Sequence, residues 1–137
     1  MSMKTKKAFG ICFAFALVML ALTVTVFADT VYTSYLDLPA NTFYSGNSRQ
    51  YNERHHAISL CPQSLPTGIV NLTIKLKHWG ILYDPTDAST MATMTQTGNI
   101  TYTYDMGSHD VGSYYYYFQT DSGNSIYASP VIMSSFD

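Results

Sequence analysis

The sequence lacks the short motifs that mark the common classes of enzyme. Neither Gly-x-Ser-x-Gly nor His-Glu-x-x-His occurs in it, and it has no glycine-rich phosphate loop. Glu53 is the only glutamate, and the sequence offers it no evident carboxylate partner for glycoside hydrolysis. We therefore expect a protein that is not an enzyme, has no catalytic residues and carries no cofactor.

Positive charge and cysteine are both scarce beyond the first 28 residues, which have the features of a cleavable secretory signal peptide. Lysines precede an uncharged apolar run over residues 8–26, and Val26-Phe27-Ala28 suits signal peptidase. Cleavage after Ala28 would make Asp29 the new N-terminus. An uncleaved membrane anchor is the alternative, because the run approaches the roughly 20 residues that span a bilayer. We expect a secreted or cell-envelope protein of bacterial type.

Removal of the signal peptide changes the charge and the thiol content of the chain. It leaves one domain, residues 29–137, with four basic residues against nine acidic ones and a formal net charge of −5. Such a domain has no electrostatic attraction for nucleic acid or for an anionic membrane, so we expect no nucleic-acid partner and no membrane partner after cleavage. Cys12 leaves with the signal, so Cys61 has no partner for an internal disulfide and is expected to be buried.

The mature part is rich in Thr, Tyr, Val, Ile and Ser and poor in helix formers, which is typical of strands. Ile69–His78 and Asn99–Met106 alternate apolar and polar residues, as half-buried strands do. Gly112–Thr120 and Ser125–Phe136 flank a short polar stretch with a glycine, and we predict that they form a hairpin. Pro130 places the last strand at a sheet edge or marks a bend in it.

Weaker strand signals lie closer to the N-terminus. We predict strands at Thr30–Leu36, Thr42–Ser45 and Tyr51–Leu60. Residues 87–97 are ambiguous between a strand and a helical turn, and their alternating threonines favour the strand. The whole pattern predicts an all-β fold, an antiparallel β-sandwich of about seven strands and of immunoglobulin-like size.

The run from Tyr114 to Phe118 is the most unusual local feature, because side chains alternate faces in a strand and both faces then carry aromatic rings. Either the strand is packed on both sides, or one row of tyrosines is exposed and offers a binding surface. Trp79 is either a core residue, which is the favoured interpretation, or a ligand platform at a loop edge. The speculative ligand-binding residues are Tyr114, Tyr115, Tyr116, Tyr117 and Trp79.

The four histidines suggest a metal site only superficially. His55 and His56 are adjacent and would point to opposite faces of a strand, and His78 and His109 lie near predicted strand ends. No zinc-type ligand spacing is present, so we expect no metal.

Three functions are consistent with these features. The first is a secreted, non-catalytic β-sandwich that binds an extracellular carbohydrate or protein through its aromatic surface. The second is a secreted effector of the bacteriocin or toxin type, suggested by small size and export. The third, a small extracellular hydrolase, would require a cleft in which one of the histidines meets an aspartate or Cys61.

Overall fold

A computed structural model describes residues 30 to 121 and 123 to 137 of the chain. Within these residues the chain forms nine strands and no helix, which confirms the all-β class and corrects the expected strand number of about seven. The predicted signal peptide, its cleavage site and Cys12 lie outside the described residues. The strands are β1 (Thr30–Leu38), β2 (Phe43–Ser45), β3 (Arg49–Tyr51), β4 (His55–Ser64), β5 (Val70–His78), β6 (Thr86–Met94), β7 (Tyr102–Ser108), β8 (Gly112–Thr120) and β9 (Ile126–Phe136).

The strands form two antiparallel sheets. The first has the order β1-β9-β4-β7, and the second has the order β2-β8-β5-β6, with β3 also paired to β8. The segment predicted as one strand, Tyr51–Leu60, is divided between them, since Tyr51 ends β3 in the second sheet while β4 belongs to the first. The ambiguous residues 87–97 fall mostly on β6, a strand paired along β5.

Alternation of side chains along each strand explains the core. In β5 the apolar residues Val70, Leu72, Ile74 and Leu76 are buried, and the polar residues between them are partly exposed. Burial of such side chains, at about 25 cal/mol per Å² of apolar surface, is the main driving force for folding. Side chains of both sheets form one hydrophobic cluster.

Cys61 is buried as predicted, and its thiol donates a hydrogen bond to the Gly98 carbonyl, with 2.9 Å between sulfur and oxygen.

The predicted hairpin of the last two strands is wrong. β8 lies in the second sheet between β5 and the short strands β2 and β3, whereas β9 lies in the first sheet. The polar connection after Thr120 therefore carries the chain from one sheet to the other. Glycine and polar residues suit a sheet-crossing turn as well as a hairpin turn, so this local signal does not choose between them.

Pro130 does not lie at a sheet edge, because β9 is hydrogen-bonded to β1 on one side and to β4 on the other. The alternative prediction of a bend is confirmed: the register of both pairs shifts between Ala128 and Val131. Such a bulge sets Pro130 out of the ladder, where its missing N–H costs no strand hydrogen bond.

Candidate functional site

An open cavity of about 620 Å³ lies at the end of the molecule where β5 and β7 end and β6 and β8 begin. Its lining comes from four separate segments of the chain and mixes aromatic, charged and hydroxyl side chains. They include Arg54, His78, Trp79, Asp87, Asp110 and Tyr114. A concave site with a few convergent polar groups is the usual form of a small-molecule pocket.

Trp79 lies at the rim of this cavity with 76% of its surface exposed, so the favoured prediction of core burial is wrong. β5 ends at His78, and Trp79 begins the loop that follows. The inward positions of β5 are the even-numbered ones from Val70 to Leu76. Trp79 is odd-numbered, so its side chain would face outward even if the strand continued to it. The strand pattern itself therefore contained the signal that it is not a core residue.

The tyrosines predicted as a binding surface are divided between the two faces of β8. Tyr114 and Tyr116 point inward and are buried, while Tyr115 and Tyr117 are partly exposed on the outer face. Burial on both sides is therefore not observed, and Tyr116 lies within the core, where its ring is not accessible to a ligand. Tyr114 is also largely buried, but it contributes to the lining of the cavity together with Trp79.

The outer face of β8 already has neighbours around its tyrosine rings. The ring of Phe43 stacks on that of Tyr117, with 5.7 Å between centroids, and the Lys75 and Lys77 ammonium groups lie 5.6 and 5.7 Å from the Tyr117 centroid. The Tyr115 hydroxyl donates to Asp84 Oδ2 at 2.6 Å. Burial and this hydrogen bond raise the pKa of Tyr115 to about 12.

Polar groups of the cavity are held by hydrogen bonds at its wall. His78 Nδ1 is hydrogen-bonded to Asp87 Oδ2 across the β5–β6 pair. The Tyr114 hydroxyl donates to the Asp110 carbonyl oxygen at 2.5 Å, and burial raises the pKa of this phenol. The Asp110 side chain is not used in this bond, and the residue is exposed. The Asp87 carboxylate is therefore held in place by His78, whereas the exposed Asp110 carboxylate can meet a ligand from the solvent side.

His56 is fully buried behind the cavity wall, and neither ring nitrogen has a hydrogen-bond partner among the described residues. Its ring lies 4.8 Å from the ring of Tyr114, 4.9 Å from that of Tyr51 and 5.7 Å from that of His109, measured between centroids. Burial, followed by the charges of His109 and His55, lowers the pKa of His56 to about 4. It is therefore neutral at ordinary pH.

A second group of polar side chains lies across the β4–β7 pair. His55 Nδ1 is 3.0 Å from Ser108 Oγ, and His55 Nε2 is 2.9 Å from Asp105 Oδ1. His55 and His56 do lie on opposite faces, as predicted from adjacent positions in a strand. In the part of the chain that the structure describes, no three histidine, cysteine or acidic side chains come together in a way that could hold a metal ion.

No protein-family model and no curated protein sequence matches this chain. Among solved structures it is similar to a chain from "Structure of infectious bursal disease virus Gt strain", with 12% identity, a TM-score of 0.41 and 77% of this chain covered. A chain from the Gx strain of the same virus has 8% identity, a TM-score of 0.39 and 78% coverage. The alignments cover 31% and 32% of those viral chains, so this chain spans about a third of their length.

The sequence pointed to two of the residues that meet in the cavity, Trp79 and Tyr114, and missed its charged residues. Arg54 lies just before β4 and Asp87 lies at the start of β6, and no local sequence pattern links the two residues.

Across residues 30–121 and 123–137, no helix has the length and hydropathy required to cross a bilayer.

Proposed function

We propose that this chain is an exported, non-catalytic domain that binds a carbohydrate in the cavity beside Trp79. The observation that carries the proposal is the large exposed indole at the rim of a polar cavity. Sugar rings present an apolar face of C–H groups, which stacks on an aromatic ring, and a rim of hydroxyls, which needs hydrogen-bond partners. Trp79 supplies the first requirement.

The charged and hydroxyl side chains supply the second requirement. The carboxylates of Asp87 and Asp110 accept hydrogen bonds from sugar hydroxyls, and the Arg54 guanidinium donates them. Two carboxylates and one guanidinium in the same cavity disfavour an anionic glycan, and the net charge of −5 expected for residues 29–137 acts in the same direction. The proposal therefore names a neutral glycan of the extracellular space or the cell wall.

We also propose that the domain is a β-sandwich and that it is exported. The two sheets with a shared core support a β-sandwich in the size class of immunoglobulin domains. Export by a signal peptide cleaved after Ala28 is supported by the sequence of residues 1–28. N-terminal sequencing of the chain recovered from culture medium tests it, and a secreted chain that starts elsewhere would contradict the cleavage site.

Binding of the mature chain to an array of neutral and acidic glycans tests the carbohydrate proposal, with Trp79→Ala as the site variant. Tyr35→Ala is the matched control, because Tyr35 is an exposed aromatic residue of β1 in the other sheet. We expect Trp79→Ala to weaken binding about tenfold or more, equivalent to about 1.4 kcal/mol, and Tyr35→Ala to leave it unchanged. Equal binding by wild type and Trp79→Ala would refute the site.

A hydrolase is the second candidate, favoured by the hydrogen-bonded series of Ser108, His55 and Asp105. A histidine between a serine hydroxyl and a carboxylate can activate a nucleophilic serine. Here Nδ1 faces the serine and Nε2 faces the carboxylate, which is the reverse of the usual triad. Asp105 is 70% exposed in its side chain, so solvent weakens its effect on His55. Covalent labelling by a fluorophosphonate that is lost in Ser108→Ala would favour this candidate over the non-catalytic one.

A further inference from the structure

The loop between β5 and β6 exposes four large apolar side chains. Ile81 and Leu82 are 101% and 93% exposed, and the flanking Trp79 and Tyr83 are 76% and 75% exposed. Single exposed apolar residues are common on proteins, but a contiguous group of large ones marks a binding surface.

The loop is held in one shape by its own hydrogen bonds. Asp84 Oδ1 accepts from the Gly80 N–H at 3.0 Å, and Asp84 Oδ2 accepts from the Tyr115 hydroxyl at 2.6 Å. A Cβ atom on Gly80 would lie 1.9 Å from the Tyr83 carbonyl oxygen, so the turn needs glycine at this position. Because these contacts already order the backbone, binding of the loop would cost little additional backbone entropy.

We propose that the loop of residues 79–83 inserts into the surface of a lipid bilayer. The order of its side chains supports this: two aliphatic residues, Ile81 and Leu82, form the tip, and Trp79 and Tyr83 stand on either side. Aliphatic side chains prefer the hydrocarbon region, whereas Trp and Tyr prefer the interface at the level of the headgroups. This goes beyond carbohydrate binding, since the tip residues Ile81 and Leu82 do not line the cavity.

The size and shape of the apolar patch favour lipid over a protein partner. A stable protein interface uses about 20–30 residues on each side. Here the apolar group ends at charged neighbours, because Asp84 follows the loop directly and Asp87 and Asp110 lie in the adjoining cavity. A small convex tip with a charged surround lacks the continuous flat surface of a stable dimer, but a fluid bilayer can accept it.

The charges around the loop define the kind of membrane. Asp84, Asp87 and Asp110 are near it, against Arg54 in the cavity and Lys77 on the outer face of β5. The balance is acidic, so attraction to an anionic surface is not available, as expected from the sequence. The proposal departs from the further expectation that the mature chain has no membrane partner. Insertion depends on apolar side chains alone, and we therefore infer binding to zwitterionic membranes in preference to anionic ones.

The chain contains one tryptophan, so its fluorescence reports directly on this loop. The mature chain is mixed with vesicles of phosphatidylcholine alone and with vesicles that contain phosphatidylglycerol. We expect co-sedimentation with the first, a blue shift of the Trp79 emission and quenching by bromine-labelled acyl chains, with weaker binding to the second. Absence of both co-sedimentation and emission shift with phosphatidylcholine would overturn the proposal.

The double variant Ile81→Asp with Leu82→Asp provides the decisive comparison. We expect it to bind vesicles at least tenfold more weakly and to keep its glycan binding. The control, Tyr35→Asp with Phe43→Asp, adds the same charge at two exposed aromatic residues of other strands and should bind vesicles as wild type does. Equal vesicle binding by the loop variant would overturn the proposal. So would binding to cells that disappears after protease treatment of the cells and is absent on vesicles, since the partner would then be a protein.

Glycan binding is measured without vesicles, and phosphatidylcholine carries no sugar. Failure of lipid insertion and failure of carbohydrate binding are therefore distinguishable outcomes.

Discussion

Replacement of His56 by phenylalanine should remove most of the pH dependence of stability between pH 8 and pH 5. His56 is fully buried, and neither ring nitrogen has a hydrogen-bond partner within the described part of the chain. Phenylalanine therefore breaks no hydrogen bond there. Burial, reinforced by His109 and His55 and opposed by Asp87 and Glu53, lowers the pKa of His56 from 6.5 to about 4.

The sign and magnitude follow from the difference in proton binding between the two states. Below pH 6.5 the unfolded chain protonates His56 and the folded chain does not, so the free energy of unfolding falls as the pH is lowered towards 4. A difference of about 2.5 pH units corresponds to about 3 kcal/mol in total. Of this, about 2 kcal/mol is lost by pH 5. That is a large fraction of the 5–15 kcal/mol by which domains are usually stable.

Urea unfolding of the mature chain at pH 8, 6.5, 5.5 and 5 measures this difference. In wild type, protonation of His56 in the unfolded chain should lower the free energy of unfolding by about 2 kcal/mol between pH 8 and pH 5. In His56→Phe this decrease should be absent. His56→Leu serves as a second variant, in case the larger ring of phenylalanine strains the core. His55→Gln is the control. His55 is partly exposed, and this variant keeps His56, so its free energy of unfolding should still fall as the pH is lowered.

A wild-type stability that is flat between pH 8 and pH 5 would refute this reasoning. So would a His56→Phe variant that keeps the full wild-type slope, since the proton would then be taken up elsewhere. The acidic groups with lowered pKa values, including Glu53 and Asp84, titrate below this range and do not obscure the result.

Two further predictions concern single residues. Glu53→Gln should destabilise the fold by about 1–3 kcal/mol at pH 7, because the carboxylate accepts hydrogen bonds from the Thr30 N–H at 3.0 Å and from Ser135 Oγ at 2.7 Å. These bonds outweigh burial and lower its pKa, so the stabilisation should be present above pH 4.5 and lost as the pH falls further; urea unfolding at pH 7 and pH 3 checks both statements. Gly80→Ala should lower the thermal midpoint and change acrylamide quenching of Trp79, because the added Cβ meets the Tyr83 carbonyl, whereas Gly112→Ala, whose Cβ would have ordinary contacts, should do neither. Identical behaviour of the two glycine variants would contradict the account of the loop.

The strands could be predicted from the sequence where local alternation and burial act together. β5 and β8 were placed within one residue of their observed ends, because each buries one face against the other sheet and this leaves a period of two in the sequence. The strand with which each strand pairs could not be predicted in this way. β8 pairs with β5, β2 and β3, all distant in sequence, and nothing in the turn after Thr120 records that choice.

The candidate site was predictable only in its aromatic part. Tyr114 and Trp79 stood out as residue types, whereas Asp87 and Arg54 are ordinary polar residues that become a site only when β4 and β6 bring them to the same end of the molecule. The exposed loop of residues 79–83 could have been predicted from the sequence. Ile81 and Leu82 lie beyond the last alternating residue of β5, between Trp79 and Asp84-Pro85, where a turn is expected.

Trp79 connects the two proposals, because it stands at the rim of the cavity and at the base of the apolar loop. One indole cannot stack on a soluble sugar and lie within the headgroup layer at the same time. Soluble glycan and vesicles should therefore compete for the protein. A glycan attached to the membrane surface removes the conflict, since its sugar would reach the cavity while Ile81 and Leu82 enter the lipid below it. The shared position of Trp79 thus makes a surface-attached glycan the ligand that satisfies both proposals at once.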